Sequence, residues 1–351
     1  MTTARLSIGI PSNRPLERSR AAIESAHAFC KRNGYNLVVS DNSGDVAKRA
    51  WLQELMQGDA LIHIDSPPCE MIDNWFQAFH ATTGDFVLMM GDDDTIFAYE
   101  DAPAFTDLPA DVIGIRPAII GYGKEQGALR TYASGISAER GAERVVEYLK
   151  TANGANLGIL SFWRRDVFEP IMNLWLKAHP TKATYCDWAV MAALSSSGKV
   201  IRHPTACYFY NLQNWLGDAA FIQSQVEKAY ARGGLPAGSA AYERVLNALD
   251  GFLFTFRDSS PLPYEERFIA AAFTMDLYLK PYRENLPVAS THANAAAINA
   301  ASQKLVGLDD IPSILHVLLE IADAIQPGLA QKYRDFNKAA TGREWATFSV
   351  A

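Results

Sequence analysis

One short stretch of the sequence, Gly84 to Asp94, constrains the fold more than any other. It contains five consecutive apolar residues, Phe86–Met90, with Gly84 in front and Gly91 behind. Five residues are too few to cross a membrane, so the run is typical of a central strand buried in a parallel sheet. Three carboxylates follow directly, at the end of the strand where open α/β sheets place their ligands.

These carboxylates are Asp92, Asp93 and Asp94. Adjacent acids repel one another, so a fold keeps such a group where something positive binds. Their hard oxygen ligands favour a magnesium- or manganese-type ion, often shared with the phosphates of a ligand. The alternative is a solvated acidic turn that caps the following segment.

Strands and helices alternate along the first part of the chain, which predicts a right-handed, mostly parallel α/β sheet flanked by helices. Up to Asp94, apolar β-prone runs alternate with segments whose apolar residues recur with the 3.6-residue period of a helix. Further strands are predicted at 112–120, 156–163 and 199–202. Residues 121–135 are predicted to form a loop or hairpin. From Leu216 onward Ala- and Leu-rich helical periods dominate, so we expect one domain over 1–215 and a helical C-terminal region over 216–351.

Composition excludes several classes of protein. The 351 residues carry a formal charge of −7, which argues against a general nucleic-acid-binding protein. No run reaches the roughly 18 apolar residues of a membrane span. The four cysteines are widely spaced and form no metal-binding pattern, which suits a reducing compartment. We expect a cytoplasmic protein without membrane spans, and peripheral contact with an inner membrane stays open.

Five segments in order resemble family 2 glycosyltransferases of GT-A fold, and they cover the chain from Leu6 to about Trp215. They resemble that family's first strand and loop, its nucleotide-binding turn, its DxD motif, a later strand with arginines, and the region of the catalytic acid. The segments are LSIGIPSNRP, LVVSDNSGD, NWFQAFHATTGDFVLMMGDDD, LGILSFWRRDVF and YCDWAVMAALSSSGKVIRHP. Gly91 stands where many members have the first Asp of the motif, which leaves the division of roles among the three acids open.

The resemblance implies a nucleotide site at the ends of the first strands. Asp41 there accepts the N3–H of uracil or thymine, which implies a uridine or thymidine diphosphate sugar. Pro11, Asn13 and Arg14 line the same pocket, and Asp92 contacts the ribose or a metal. The alternative for Asp41 is an Asx-turn residue that caps the next helix.

The resemblance also implies a divalent cofactor, Mn²⁺ or Mg²⁺, held by Asp93 and Asp94. A nucleoside diphosphate is a poor leaving group until its growing negative charge is neutralised, and a divalent ion does this. Asp187 is implied as the base that takes the proton of the acceptor hydroxyl in an inverting transfer. The alternative for Asp187 is an N-cap of the helix over 188–197.

Other polar and aromatic residues are candidates for ligand contacts. Arg164 and Arg165 match the geometry of a diphosphate or an anionic acceptor, although such a pair is also typical of a solvated sheet edge. Trp188 is a candidate for stacking on a sugar, and the alternative is a place in the core. His203 and Asn211 are candidates for contacts near the metal.

Taken together, the sequence predicts an inverting, metal-dependent glycosyltransferase. It moves a sugar from a nucleotide-sugar donor to a glycan or lipid-linked glycan, with bacterial surface polysaccharide synthesis as the setting that the resemblance implies. The C-terminal helices are expected to shape the acceptor site or form a homo-oligomer. Two alternatives stay open: a nucleotidyltransferase that makes activated sugars, and a non-catalytic nucleotide- or glycan-binding protein of the same fold.

Overall fold

The computed structural model describes residues 3–57, 61–152, 155–181 and 187–345. The chain divides into two compact units. The first contains residues up to Ser137 together with Tyr148–Glu169 and Gly198–Leu216. The second contains Ala138–Glu147, Pro170–Ser197 and the chain from Gly217 onward. The predicted boundary near 215 is thus the last point at which the chain passes between units, but two earlier segments also belong to the helical one.

A single sheet forms the centre of the first unit. Its strands are β1 Leu6–Ser12, β2 Asn36–Asp41, β3 Leu61–Asp65, β4 Phe86–Met89, β5 Thr95–Ala98, β6 Val112–Gly123, β7 Gly127–Tyr132, β8 Phe162–Arg164 and β9 Lys199–Asn211. Their order is β3-β2-β1-β4-β8-β6-β9-β5, and β7 pairs with β6. The four strands β3, β2, β1 and β4 are parallel, as the alternating pattern predicts. All four residues of β4 are buried, which confirms the central strand.

The other half of the sheet is mixed. Strand β8 is antiparallel to both β4 and β6, whereas β6 and β9 are parallel. Of the two forms predicted for 121–135, a loop or a hairpin, the antiparallel pair β6 and β7 confirms the hairpin. The strand predicted over 156–163 is wrong for most of its length, because Leu157–Ile159 forms a 3₁₀ turn and only the end of the segment joins β8. The expected α/β fold class is confirmed, with a mixed sheet.

Three helices connect the parallel strands of the first unit: α1 Leu16–Asn33, α2 Val46–Met56 and α3 Met71–Ala81. Helix α1 buries Ala22, Ile23, Ala26 and Phe29, the apolar side that its periodicity predicts. It ends at Gly34, whose φ of 68° is the left-handed conformation of a helix stop. Helix α2 begins after Asp45, whose carboxylate accepts the backbone N–H groups of two residues in its first turn.

The remaining helices are α4 Gly141–Ala152, α5 Arg165–Asn173, α6 Asp187–Ser197, α7 Ala219–Arg232, α8 Glu243–Phe256, α9 Tyr264–Glu284, α10 Ala295–Gln303, α11 Ile311–Ile325 and α12 Leu329–Thr341. Helix α8 is the centre of the second unit, since every residue from Val245 to Phe256 is buried. It packs against α6, α9, α11 and α12. No helix in the described ranges is both long and apolar enough to cross a bilayer.

Candidate functional site

The carboxyl ends of three parallel neighbours bring the predicted nucleotide residues together. Strand β1 pairs in parallel with β2 on one side and with β4 on the other. Ser12 at the end of β1 is in register with Asp41 at the end of β2, and the three acids follow β4 directly. The site therefore lies at the sheet edge where parallel α/β sheets place ligands.

Asp92 holds the loop that leaves β1. One of its oxygens, Oδ2, accepts the Ser12 hydroxyl at 2.7 Å and the backbone N–H groups of Asn13 and Arg14, each at 3.2 Å. Its other oxygen accepts the Arg14 guanidinium. Four donors thus converge on this buried carboxylate. In this structure Asp92 holds the loop after β1 in place, and its expected contact with a ribose or a metal stays a prediction.

Arg14 joins two of the three acids. Its guanidinium contacts Asp92 and also donates to Asp93 Oδ2 at 2.9 Å. Its side chain is one-third exposed, and that of Asp93 is 25% exposed, against 4% for Asp92. Asp93 is therefore the more accessible of these two carboxylates, and Arg14 the charged group beside it. Asn13 lies exposed at the surface, and its recorded contact with the acids is made through its backbone.

Asp94 is turned toward β9. Tyr208 donates its hydroxyl to Oδ2 at 2.6 Å, and the backbone N–H of Asn211 donates to Oδ1 at 2.8 Å. Burial raises the pKa of Asp94 to about 6, and repulsion from Asp93 acts in the same direction. Asn211 is thus brought to the acids as expected, but through its backbone, because its side-chain oxygen accepts the N–H of Gln213.

Gly91 leaves an opening between two carboxylates. A Cβ at this position would lie 2.9 Å from Asp94 Oδ2 and 3.2 Å from Asp93 Oδ1, so a larger residue would require these side chains to shift. The two oxygens therefore border the same space beside Gly91, and such hard donors fit a divalent cation. Among the described residues, no group of three or more His, Cys, Asp or Glu is placed to hold a metal ion. A cation there needs further ligands from a phosphate or from water.

Asp41 lies in a buried ion pair that the sequence did not predict. Its Oδ1 is 2.9 Å from Lys48 Nζ and accepts the N–H of Ser43 at 3.1 Å. Lys48 also donates to the Ser12 hydroxyl at 2.5 Å and to the carbonyl of Arg14 at 2.8 Å. Burial lowers the pKa of Lys48, although Asp41 opposes the shift. The signal in the sequence was the N-cap Asp45, which places Lys48 in the first turn of α2.

A continuous series of contacts links Asp41, at the end of β2, to the acids that follow β4. It runs through Asp41, Lys48, Ser12, Asp92, Arg14 and Asp93. The Asx-turn alternative is confirmed in one respect, since Asp41 accepts the N–H two residues on, but the cap of α2 is Asp45. Asp41 Oδ2 forms no hydrogen bond with a described residue. Pro11 lies half-buried in β1, in register with Ser40.

Arg164 and Arg165 lie at the other end of β4. Arg164 is in register with Phe86, the first residue of that strand, whereas the acids follow its last residue. Arg164 pairs with Asp166, and Arg165 donates to the Gly84 carbonyl and to Thr82. Both guanidinium groups hold the chain together locally. The candidate contact with a diphosphate bound at the acids is therefore wrong, the alternative of a sheet-edge pair agrees with their position, and a contact with an anionic acceptor stays a prediction.

His203 is a core residue. It is 3% exposed and packs against the rings of Phe29, Phe105 and Phe162. Its Nδ1 accepts the backbone N–H groups of Thr205 and Ala206. Burial lowers the pKa of His203 to about 4, so the ring is neutral at pH 7. The expected contact near a metal is wrong, because both its packing and its hydrogen bonds tie it to the interior.

Asp187 and Trp188 begin helix α6 in the second unit, and both are half-buried. The carboxylate of Asp187 interacts electrostatically with that of Glu243, the first residue of α8. Burial raises the pKa of Glu243, and repulsion from Asp187 raises it further. Two acids thus begin neighbouring helices within one unit. Asp187 is the first residue of α6, close to the N-cap position of the alternative interpretation, and its role as a base stays a prediction.

Comparison with solved structures finds crystal structures of TarS residues 1–349 from S. aureus, alone, in complex with UDP and in complex with UDP-GlcNAc. They are 10%, 12% and 11% identical to this chain, with TM-scores of 0.48, 0.48 and 0.43. Each match covers 96% of this chain and 90% of the TarS chain. No family model and no curated protein matches the sequence.

Proposed function

We propose that this protein is a glycosyltransferase that binds a nucleoside-diphosphate sugar at the carboxyl ends of β1, β2 and β4. The observation that carries the proposal is the convergence of Asp41, Arg14, Asp93 and Asp94 at one sheet edge. This edge is where α/β folds bind nucleotides. The order of the sequence motifs, which resembles that of family 2 glycosyltransferases, supports glycosyl transfer as the reaction.

The base of the donor is proposed to be uracil or thymine. Asp41 uses Oδ1 for Lys48 and Ser43, which leaves Oδ2 for a ligand. A carboxylate oxygen accepts the N3–H of these bases, whereas neutral cytosine has no donor there. Because Lys48 and Ser43 both contact Oδ1, the carboxylate is held in place before a nucleotide arrives.

The diphosphate is proposed to lie beside Arg14 and Asp93. The Arg14 guanidinium forms an ion pair with Asp93 and is partly exposed, and its planar shape suits the oxygens of a phosphate. Asp93 and Asp94 would hold Mn²⁺ or Mg²⁺ in the space beside Gly91. When bound, such an ion supplies positive charge that stabilises the departing nucleoside diphosphate.

We further propose that Asp187 takes the proton of the acceptor hydroxyl as that oxygen attacks the anomeric carbon, with inversion. The neighbouring acid Glu243 supports this role. Two carboxylates that repel each other bind a proton more readily, and a base has to accept a proton during the reaction. The acceptor is proposed to be a hydroxyl of a glycan or a lipid-linked glycan.

A nucleotidyltransferase is less consistent with the loop after β1. Such enzymes cradle a triphosphate on free backbone N–H groups of a Gly-rich loop. Here the loop is Pro-Ser-Asn-Arg-Pro, and the N–H groups of Asn13 and Arg14 are already bound to Asp92. The loop therefore presents a side chain, Arg14, to a phosphate instead of a row of amides.

Calorimetric titration tests the proposal. UDP, dTDP, GDP, CMP and ADP are titrated with Mn²⁺ and with EDTA into the wild type, Asp93→Ala and the control Asp166→Ala, whose exposed acid lies at the opposite end of β4. We expect metal-dependent binding of UDP or dTDP that is lost only in Asp93→Ala. Binding that ignores both metal and Asp93 would overturn the role of the acids. Absence of any nucleotide binding would favour a non-catalytic protein.

A further inference from the structure

Arg14 connects two of the three acids through the two terminal nitrogens of its guanidinium. One nitrogen contacts Asp92, and the other donates to Asp93 Oδ2 at 2.9 Å. Only 4% of the Asp92 side chain is exposed, whereas Arg14 and Asp93 are 33% and 25% exposed. The contact between Arg14 and Asp93 is therefore the one that water and ligands can reach.

The backbone of Arg14 is fixed on both sides of the side chain. Its N–H donates to Asp92 Oδ2 at 3.2 Å, and its carbonyl oxygen accepts a hydrogen bond from Lys48 Nζ at 2.8 Å. Both Asp92 and Lys48 are buried, so these two contacts are shielded from water. Arg14 can therefore change its partners by rotation of its side chain, without movement of the loop after β1.

Asp93 is shared between Arg14 and the space beside Gly91. Its Oδ2 accepts the guanidinium, and its Oδ1 borders the space in which Asp93 and Asp94 are proposed to hold a divalent ion. The two oxygens belong to one carboxylate, so a guanidinium at one and an ion at the other are only a few ångströms apart. Their energy of repulsion is inversely proportional to this distance, so Arg14 in its observed position weakens the binding of an ion.

A diphosphate changes this balance because it carries negative charge of its own. Guanidinium groups bind phosphate oxygens through charge-assisted hydrogen bonds, so a phosphate beside the acids offers Arg14 a second partner. Once Arg14 donates to the phosphate, both oxygens of Asp93 are available to the ion. The same phosphate can also supply oxygen ligands to the ion.

We propose that Arg14 couples the binding of the divalent ion to the binding of the nucleoside diphosphate. Without a nucleotide, its guanidinium holds Asp93 and disfavours the ion. When a diphosphate binds, the guanidinium moves to a phosphate oxygen, and Asp93 then binds the ion. This inference rests on the proposed function, because it requires a diphosphate beside the acids. Since coupling between two ligands is reciprocal, the ion should strengthen nucleotide binding by the same factor.

Calorimetric titration of Mn²⁺ alone into nucleotide-free protein tests the first half of the coupling. The proteins are the wild type, Arg14→Gln and the control Arg49→Gln, which removes the same charge from a partly exposed arginine paired with Asp65 at the end of β3. Loss of the competing guanidinium is expected to lower the Kd for Mn²⁺ about ten-fold in Arg14→Gln, and the control should change it less than about two-fold. An unchanged or higher Kd in Arg14→Gln, or no Mn²⁺ binding in any of the proteins, would overturn the proposal. Asp93→Ala added to Arg14→Gln should abolish the gain, and a gain that survives would place the ion away from Asp93 and also overturn it.

Titration of Mn²⁺ in the presence of UDP tests the second half. The ratio of the Kd for Mn²⁺ without UDP to the Kd with UDP should be about ten-fold smaller in Arg14→Gln than in the wild type, because only the wild type has to release Asp93 from a guanidinium. Equal ratios, with UDP bound to both proteins, would overturn the coupling and leave the proposed function intact. If UDP does not bind to the wild type with Mn²⁺, the proposed function fails and the coupling fails with it.

A crystal structure of the wild type with UDP and Mn²⁺ tests the movement of the side chain directly, and so does not depend on the folding of Arg14→Gln. Arg14 is expected to donate to a phosphate oxygen and to have left Asp93 Oδ2. Retention of the contact between Arg14 and Asp93 beside a bound ion would overturn the proposal.

Discussion

Lys48 Nζ lies 2.9 Å from Asp41 Oδ1, and both side chains are buried from water. In the described part of the chain the ammonium group contacts Asp41 at the end of β2, Ser12 at the end of β1, and Arg14 in the loop that follows β1. One cation thus ties together the two strand ends that carry the proposed base and phosphate contacts. The pair therefore contributes both to the proposed nucleotide site and to the stability of the fold.

Lys48→Met is expected to lower the free energy of unfolding by about 3–5 kcal/mol, because it leaves Asp41 buried without a counter-charge. Urea denaturation measures the loss. Arg49→Met is the matched control: its pair with Asp65, at 3.0 Å, is 41% and 48% exposed, and its removal should cost less than about 1 kcal/mol. Equal losses in the two variants would contradict the central position of Lys48.

Asp92 and Asp93 are expected to separate stability from binding. Asp92→Asn should destabilise the protein by about 2–4 kcal/mol. A neutral amide does not balance the charge of Arg14, and its single oxygen accepts fewer hydrogen bonds than the two carboxylate oxygens. Asp93→Asn should change stability by less than about 1 kcal/mol, since this side chain is 25% exposed. Urea denaturation and UDP titration of both variants check this. Loss of metal-dependent binding without loss of stability in Asp92→Asn would reverse the assignment.

Asp94 is expected to make the metal-free protein less stable as the pH rises. Its folded pKa of about 6 lies above the ordinary 3.8, so the folded state binds the proton more tightly. This contribution is complete below pH 3.8 and disappears as the pH rises through about 6. Asp94→Asn should remove it, a difference of about 3 kcal/mol between the two pH limits. Urea denaturation in EDTA from pH 4 to 7 measures it, and parallel curves for variant and wild type would contradict the buried charge.

His203 has the opposite sign. Its pKa falls from 6.5 to about 4, so the unfolded state binds the proton more tightly. The stability from the neutral ring is complete above pH 6.5 and is lost as the pH falls toward 4. In His203→Phe, which keeps an aromatic ring against Phe29 and Phe162, this dependence of about 3 kcal/mol should be absent. UDP affinity should not change, and a weakened affinity in a folded variant would restore the binding role that the structure removes.

Asp187→Asn is expected to lower turnover by about 100-fold or more, since a positioned base contributes at least that much, while UDP affinity stays constant. Asp276→Asn, an exposed acid of the same unit, is the control and should retain full turnover. Asp187→Asn should also lower the pKa of Glu243, because it removes the negative charge that repels the Glu243 carboxylate. A carbon-detected NMR titration of Glu243 measures that shift. Unchanged turnover in Asp187→Asn would leave it as a helix-terminal residue.

The sequence by itself determined the parallel half of the sheet and the place of the acids. The apolar run Phe86–Met90 and the Gly91 that follows it are local features of the sequence. Their effect on the backbone depends on residues that are neighbours in the chain, so the sequence alone predicts the strand and its end. Helix α1 and its stop at Gly34 follow from periodicity in the same way. The local pattern was not sufficient everywhere, since the strand predicted over 156–163 begins only at Phe162.

Tertiary structure decided the roles of the charged side chains. Lys48 and Asp92 became buried anchors because strand ends far apart in the chain meet at one edge, and periodicity carries no information about which charges meet there. Arg165 and His203 were candidates for ligand contacts because of their residue types, but the fold places one at the opposite end of β4 and the other among aromatic rings. The free energy of a buried charge is set by its partners, and partners distant in sequence are chosen only when the chain folds.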